Sequence, residues 1–242
     1  MVVRIINDHV LIYIFLQIQH VVVLRFFLVL LYSLYFLELY FLVVHNYCLN
    51  NPIKYIDPNG EDVFVAISGG INGGPSQTTN NLVANMISFA ETNGIKDFDA
   101  QAFGGQFADS PTIESAISFI NQNLTDGEKL IVYGYSWGGD TAIELADALN
   151  DAGISVDLLI TVDAAKGPLT FSTDRIIPSN VAENINYYQP NASNWLSVGA
   201  SNTSTSSKTS VLNFLFPDFT HGNIDENVAP LVESAITNTI NK

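Results

Sequence analysis

The stretch that decides the fold is VYGYSWGGD, Val132 to Asp140, in which a serine, Ser136, has a glycine two residues to either side. The apolar run 129–133 before it predicts a buried strand, and the Ala- and Leu-rich run 141–149 after it predicts a helix. A serine on such a sharp strand-to-helix turn can present its hydroxyl as a nucleophile, because small flanking residues leave room for the strained backbone. The alternative is that Ser136 is only a polar residue where a strand meets a helix.

Strands and helices alternate on both sides of this stretch, from residue 61 to the end of the chain. Strands rich in β-branched residues alternating with helices predict a mainly parallel sheet with helices on both faces, so the expected fold class is α/β. No inserted cap domain is visible in the pattern. The predicted strands are 62–68, 98–103, 129–135, 154–162 and 181–189. The predicted helices are 77–93, one that opens with Ser110 as its cap and Pro111 in its first turn, 137–150 and 226–239.

Residues that follow the strands are the places to look for chemistry, because ligands of parallel sheets bind beyond the carboxyl ends of the strands. Ser136 follows one strand and Asp163 the next, while His221, the only histidine after residue 60, precedes the last helix. An imidazole can take the proton of a serine hydroxyl near neutral pH, and a carboxylate behind it fixes its tautomer. The candidate catalytic residues are therefore Ser136, His221 and Asp163.

Other roles stay open for these residues at this stage. Asp163 could instead cap the short segment after its strand, in which case Asp218 or Asp225 would supply the acid. His221 could be a solvated loop residue. Asp140 is interpreted as an acid in the first helical turn that complements the helix dipole.

Backbone N–H groups near Ser136 would form the oxyanion hole. The N–H of Trp137, at the start of the helix, is one candidate, and a second is expected just after the first strand, from Gly70 or Ile71. The glycines of this loop also have the separation found in a phosphate-binding loop. Pro75-Ser76 stand where Lys-Ser/Thr is required, which excludes nucleotide binding.

The motif Gly134-Tyr135-Ser136-Trp137-Gly138, followed in chain order by Asp163 and His221, resembles that of the α/β-hydrolases. The resemblance implies a compact α/β-hydrolase domain over residues 61–242. It also implies a serine esterase or lipase-like enzyme that hydrolyses carboxylic esters, with a lipid or other small acyl ester as substrate and no cofactor. A thioesterase or peptidase of the same fold, and a non-catalytic binding or remnant domain, are the alternatives.

Residues 1–44 form a separate hydrophobic segment. The run 21–44 is interrupted by only Arg25, Ser33 and Glu38 among clearly polar residues and is long enough to span a bilayer. The charged Glu38 would be costly there, by about 2–3 kcal/mol. A membrane anchor, a remnant of a larger protein and a buried layer of the domain are the three interpretations.

Residues 45–60 resemble the end of the core of bacterial RHS-repeat proteins. The resemblance rests on Tyr47, then Asn50-Asn51-Pro52, then Tyr55-x-Asp57-Pro58-x-Gly60. In that family a variable C-terminal domain, often a toxin, begins just after this motif. The resemblance implies that residues 61–242 are a secreted or delivered effector, with an immunity protein as partner. A linker rich in Pro, Gly and Asn would use the same residues.

Composition narrows the functional classes further. The chain has 242 residues and a net charge of −15, and all of that charge lies after residue 60, where 21 acidic residues face 6 basic ones. Such an acidic domain repels phosphate backbones, which argues against nucleic-acid binding. Cys48 is the only cysteine, so no intrachain disulfide can form, and the four histidines form no cluster typical of a metal site.

Overall fold

The computed structural model describes residues 62–70, 73–106, 109–166, 173–191 and 199–241. Within these ranges six strands form one sheet in which every neighbouring pair is parallel. The strands are β1 (Val63–Ile67), β2 (Asp99–Phe103), β3 (Leu130–Tyr135), β4 (Val156–Val162), β6 (Val181–Tyr188) and β8 (Ser210–Leu215), with a separate two-residue pair of β5 (Ile176–Ile177) and β7 (Thr203–Ser204). Across the sheet the order is β2-β1-β3-β4-β6-β8. The expectation of a mainly parallel α/β sheet is confirmed.

In the described ranges four helices cover the sheet, two on each face. They are α1 (Gln77–Thr92), α2 (Ser110–Asn123), α3 (Trp137–Asp151) and α4 (Ile224–Ile240). The apolar sides of α1 and α4 share one core with Phe64 and Ala66, whereas α2 and α3 share the other core with Val63, Val65 and Ile67. All five residues of β1 are fully buried, as expected for a strand covered on both sides.

The start of α2 differs from the sequence prediction. Ser110 is the first helical residue rather than the cap, and Asp109 stands in the cap position without a capping hydrogen bond. The Asp109 carboxylate instead accepts hydrogen bonds from Trp137 Nε1 at 2.9 Å and from Thr141 Oγ1 at 2.6 Å. This side chain therefore connects the loop after β2 to the first turn of α3.

The edge strand β8 was not predicted, although residues 211–216, VLNFLF, are mostly apolar, because this short run is interrupted by Asn213 and follows a long polar stretch. Long-range polar contacts fix it. The fully buried Asn186 donates to Asn213 Oδ1 at 2.8 Å, and the buried Asn202 donates to Thr161 Oγ1 at 2.9 Å and Asn184 Oδ1 at 3.1 Å. Asn202 N also donates to Asn213 Oδ1 at 2.8 Å, so Asn202 is hydrogen-bonded to three neighbouring strands, β4, β6 and β8.

The N-terminal predictions fall outside the described residues. They concern the hydrophobic segment 1–44, with its candidate membrane run 21–44, and the RHS-like segment 45–60. Both stay predictions, as do the domain boundaries drawn from them. In the part of the chain that the structure describes, no helix is both long and apolar enough to cross a membrane.

Candidate active site

Ser136 lies in the turn between β3 and α3 with a strained backbone. Its φ of 56° and ψ of −124° fall in a region that residues with a side chain rarely occupy, at a cost of about 1–3 kcal/mol. Hydrogen bonds hold the turn: Ser136 N donates to Val162 O at 2.9 Å, and Gly139 N donates to Ser136 O at 2.9 Å. The strain is thus maintained by the neighbouring strand and the first helical turn.

Glycines allow neighbouring backbone segments to pass close to the serine turn. A Cβ on Gly134 would overlap the carbonyl oxygen of Gly138, and a Cβ on Gly138 would overlap that of Ile67 in the neighbouring strand. A Cβ on Gly69, in the loop after β1, would lie 2.7 Å from the Cβ of Ser136. The backbone of that loop therefore passes directly beside the serine.

The structure brings the three candidate catalytic side chains together. Ser136 Oγ lies 2.8 Å from His221 Nε2, and His221 Nδ1 lies 2.7 Å from Asp163 Oδ2. The Asp163 side chain is fully buried, while the His221 side chain is about one-fifth exposed. A continuous hydrogen-bonded path therefore runs from the serine hydroxyl to a buried carboxylate, and the imidazole between them borders solvent.

Gln189, which the sequence analysis did not identify, completes the surroundings of Asp163. Its backbone N–H donates to Asp163 Oδ1 at 3.2 Å and its side-chain Nε2 donates to Asp163 Oδ2 at 2.8 Å, and Gln189 is itself fully buried. A Cβ on Gly199 would overlap the same carboxylate, so the backbone closes over it. Gln189 directly follows β6, but the predicted strand 181–189 included it, so the rule of inspecting the residues after each strand passed over it.

Tyr135 holds His221 from the other side. Its hydroxyl donates to the carbonyl oxygen of His221, and the two rings stack with centroids 5.3 Å apart. Burial raises the pKa of the Tyr135 hydroxyl, and the negative charges of Asp225 and Asp163 raise it further, so this hydroxyl keeps its proton and remains a donor.

Asp218 and Asp225, the other candidates for the catalytic acid, have different surroundings from Asp163. Asp225 accepts a hydrogen bond from Glu226 N at 2.9 Å, and Asp218 is exposed. Burial raises the pKa of Asp225 above its ordinary value, although the charge of a protonated His221 would lower it. Among the described residues, Asp163 is the carboxylate in hydrogen-bonding contact with the imidazole.

The structure describes two of the three residues proposed for the oxyanion hole, Trp137 and Gly70. Trp137 is the first residue of α3, so its N–H lies at the positive end of that helix. Gly70 has a φ of 89°, and it follows Gly69, the residue that touches the serine turn. Ile71 lies outside the described residues. The oxyanion role of all three stays a prediction.

A cluster of charges lies behind the serine turn. Lys166 Nζ is 2.7 Å from Asp140, 2.6 Å from Glu144 and 3.4 Å from Asp109. Burial alone would lower the pKa of Lys166, but its hydrogen bonds to Asp140 and Glu144 raise it above the usual value. The three carboxylates lie close enough together to hold a metal ion, yet the lysine ammonium already stands among them. Asp140 is thus part of a buried ion cluster rather than only a first-turn residue.

Comparisons with known proteins find similar solved structures only at low sequence identity. No protein-family model and no curated protein matches the chain. It is similar to ClbQ from the colibactin NRPS/PKS pathway (10% identity, TM-score 0.46, 74% of this chain and 97% of that one). It is also similar to a hyperthermophilic esterase from the archaeon Pyrobaculum calidifontis (13% identity, TM-score 0.48, 78% of this chain and 79% of that one). A third similar structure is human thioesterase 2 (11% identity, TM-score 0.40, 74% of this chain and 96% of that one).

The class of fold follows from the molecule itself. A parallel sheet with helices on both faces, a strained serine turn after β3, an aspartate after β4 and a histidine before the last helix define the α/β-hydrolase fold. The described residues have that fold.

Proposed function

We propose that the domain is a serine hydrolase that cleaves carboxylic esters, with a lipid or other small acyl ester as substrate. The observation that carries the proposal is the path of hydrogen bonds from Ser136 through His221 to Asp163, at a serine held in a strained backbone conformation. Serine is a weak nucleophile without an adjacent base, and this path supplies the base and the group that orients it.

The geometry supports a two-step reaction. As Ser136 Oγ bonds to the ester carbonyl carbon, its proton passes to His221 Nε2, and the imidazolium is stabilised by Asp163. The carbon–oxygen bond to the alcohol then breaks, and the proton on Nε2 goes to the departing alkoxide. Water attacks the acyl-serine in the second step, giving its proton to Nε2, and the acid leaves as Ser136 regains a proton. The N–H groups of Trp137 and of the loop at Gly70 would stabilise the oxyanion.

Turnover of p-nitrophenyl esters of increasing acyl length by the full chain tests the proposal. We expect hydrolysis that falls by at least about 10⁴-fold in Ser136→Ala and in His221→Ala, because neither residue can act without the other. Ser115→Ala, at an exposed serine on α2, is the matched control and should keep full activity. Equal activity in Ser136→Ala and wild type would refute the proposal, and preference for acyl thioesters or amides would favour a thioesterase or peptidase.

We also propose that the hydrolase acts as a delivered effector. This rests on the RHS-like residues 45–60, which lie outside the described part of the chain. Expression in bacterial cells should slow growth with the wild-type chain and not with Ser136→Ala. Equal growth of both strains would argue against a toxin.

A further inference from the structure

The charges of the domain are distributed unevenly between the two edges of the sheet. Because every strand pair is parallel, all six strands have their carboxyl ends on the same side of the sheet, where Ser136 lies. The residues that follow the strands on that side are here called the site edge. The residues that precede the strands, at the amino ends, form the opposite edge. Lys96, Lys129 and Lys208 precede β2, β3 and β8 and so belong to the opposite edge. Lys129 Nζ donates to Thr239 O at 2.9 Å, at the end of α4 far from its start near His221.

The cations at the site edge are already engaged by other groups of the domain. Within residues 62–241, where described, they are Lys166 and Arg175. Lys166 is surrounded by three carboxylates. Arg175 donates to Ala164 O at 2.9 Å and to Ala200 O at 3.2 Å. Neither side chain can turn to meet an anionic substrate without breaking these contacts.

Carboxylates outnumber these cations at the same edge. Asp225 lies in the first turn of α4, close enough to His221 for their charges to interact. The internal segments that the structure does not describe, 71–72, 107–108, 167–172 and 192–198, contain no charged residue. The acidic residues that follow strands at the site edge are Asp109, Glu114, Asp140, Glu144, Asp163, Asp174, Asp218, Asp225 and Glu226.

We infer that the site selects its substrate by charge: it takes esters or thioesters with a neutral or cationic leaving group and rejects anionic ones, including phosphate-bearing thiols. This rests on the proposed hydrolase function and names the substrate class for it. A field of one sign at a cleft concentrates opposite charges and repels like charges, and repulsion is a source of specificity. An anionic leaving group would meet this field without a cation to pair with.

Three butyryl thioesters with leaving groups of similar size test the inference on the full chain. They release thiocholine, 2-mercaptoethanol or 2-mercaptoethanesulfonate, which carry charges of about +1, 0 and −1, and each thiol is detected with the same colorimetric reagent. At low ionic strength we expect kcat/KM for the cationic thioester to exceed that for the anionic one by about tenfold or more, falling to about twofold in 0.5 M salt.

A pair of double variants locates the effect. Asp218→Asn with Glu226→Gln removes two exposed charges from the site edge, and Glu91→Gln with Asp151→Asn removes two exposed charges from the opposite edge. The first should lower the cation-to-anion ratio by about threefold, and the second should leave it within about 1.5-fold. Equal kcat/KM for the cationic and anionic thioesters would overturn the inference, and so would equal effects of the two double variants on the cation-to-anion ratio. In either case, turnover of the neutral thioester would still support a hydrolase. No turnover of the neutral thioester and of p-nitrophenyl esters would overturn both.

Discussion

Replacing Asp163 with asparagine removes the charge behind His221 while keeping the shape of the side chain. The carboxylate accepts three hydrogen bonds, from the backbone N–H and the side-chain amide of Gln189 and from His221 Nδ1. An asparagine has one acceptor oxygen and one donor NH₂ group, so these three donors cannot all be satisfied.

The structure indicates which orientation the asparagine adopts. If its NH₂ group took the Oδ1 position, it would face the fixed backbone N–H of Gln189, at a cost of about 1–3 kcal/mol. In the other orientation its NH₂ faces His221 Nδ1, which can accept, and the Gln189 side-chain NH₂, which can shift more easily than a backbone N–H although its Oε1 accepts from Asn191 N at 2.6 Å. His221 then carries its proton on Nε2 and cannot take the proton of Ser136. We expect kcat/KM at pH 7 to fall by about 10⁴-fold, the size of effect that a wrong tautomer causes in serine proteases.

Ester hydrolysis and thermal unfolding of the full-length variants check this. Asp225→Asn is the matched control, because Asp225 lies near His221 and its hydrogen bond comes from Glu226 N. It should change kcat/KM by no more than about fivefold, as for a partly exposed charge. Activity of a folded Asp163→Asn within about tenfold of wild type, or a larger loss in Asp225→Asn, would refute the assignment of the acid.

Two further substitutions probe the support of the site. Gly69→Ala places a Cβ 2.7 Å from the Cβ of Ser136 and should lower kcat/KM by at least about 10²-fold. Gly74→Ala is the control, because a Cβ there lies in open space and should leave kcat/KM unchanged. Equal activities of the two variants would show that the loop can move away from Ser136. Lys166→Met leaves buried carboxylates without their cation and should destabilise the fold by about 3–5 kcal/mol at pH 7 in urea unfolding. Burial raises the pKa of Asp140, so this carboxyl can take up a proton and lose its charge in the folded variant as the pH falls. The destabilisation caused by Lys166→Met should therefore become smaller as the pH falls toward 4. The exposed Lys96→Met should be neutral, and an equal loss in both lysine variants would contradict the argument.

Local patterns predicted most of the fold. The helix predicted at 77–93 is observed at Gln77–Thr92, and the one predicted at 226–239 at Ile224–Ile240, because the spacing of their apolar residues is a local property. The edge strand β8 was missed although residues 211–216 are mostly apolar, and the asparagine contacts that hold it are with residues distant in the chain. Contacts of that kind leave no periodic signal in the sequence.

The same distinction holds at the site. The glycine-flanked serine identified the turn, and the order of Ser136, Asp163 and His221 along the chain suggested their roles. Their distances are a property of the folded chain, and so are the contacts of Gln189 with Asp163 and of Lys166 with its carboxylates. Sequence patterns indicate which residues could react, and tertiary packing decides what holds them in place.

The most direct test of the central claim is the reaction of the full chain with a fluorophosphonate, followed by peptide mass spectrometry. If the imidazole activates the hydroxyl beside it, the serine oxygen displaces fluoride and one phosphonyl group appears per chain, on the peptide that contains Ser136. The adduct should be absent in Ser136→Ala and form far more slowly in His221→Ala. Folded wild-type protein that stays unlabelled, or that carries the label on another serine, would contradict the account.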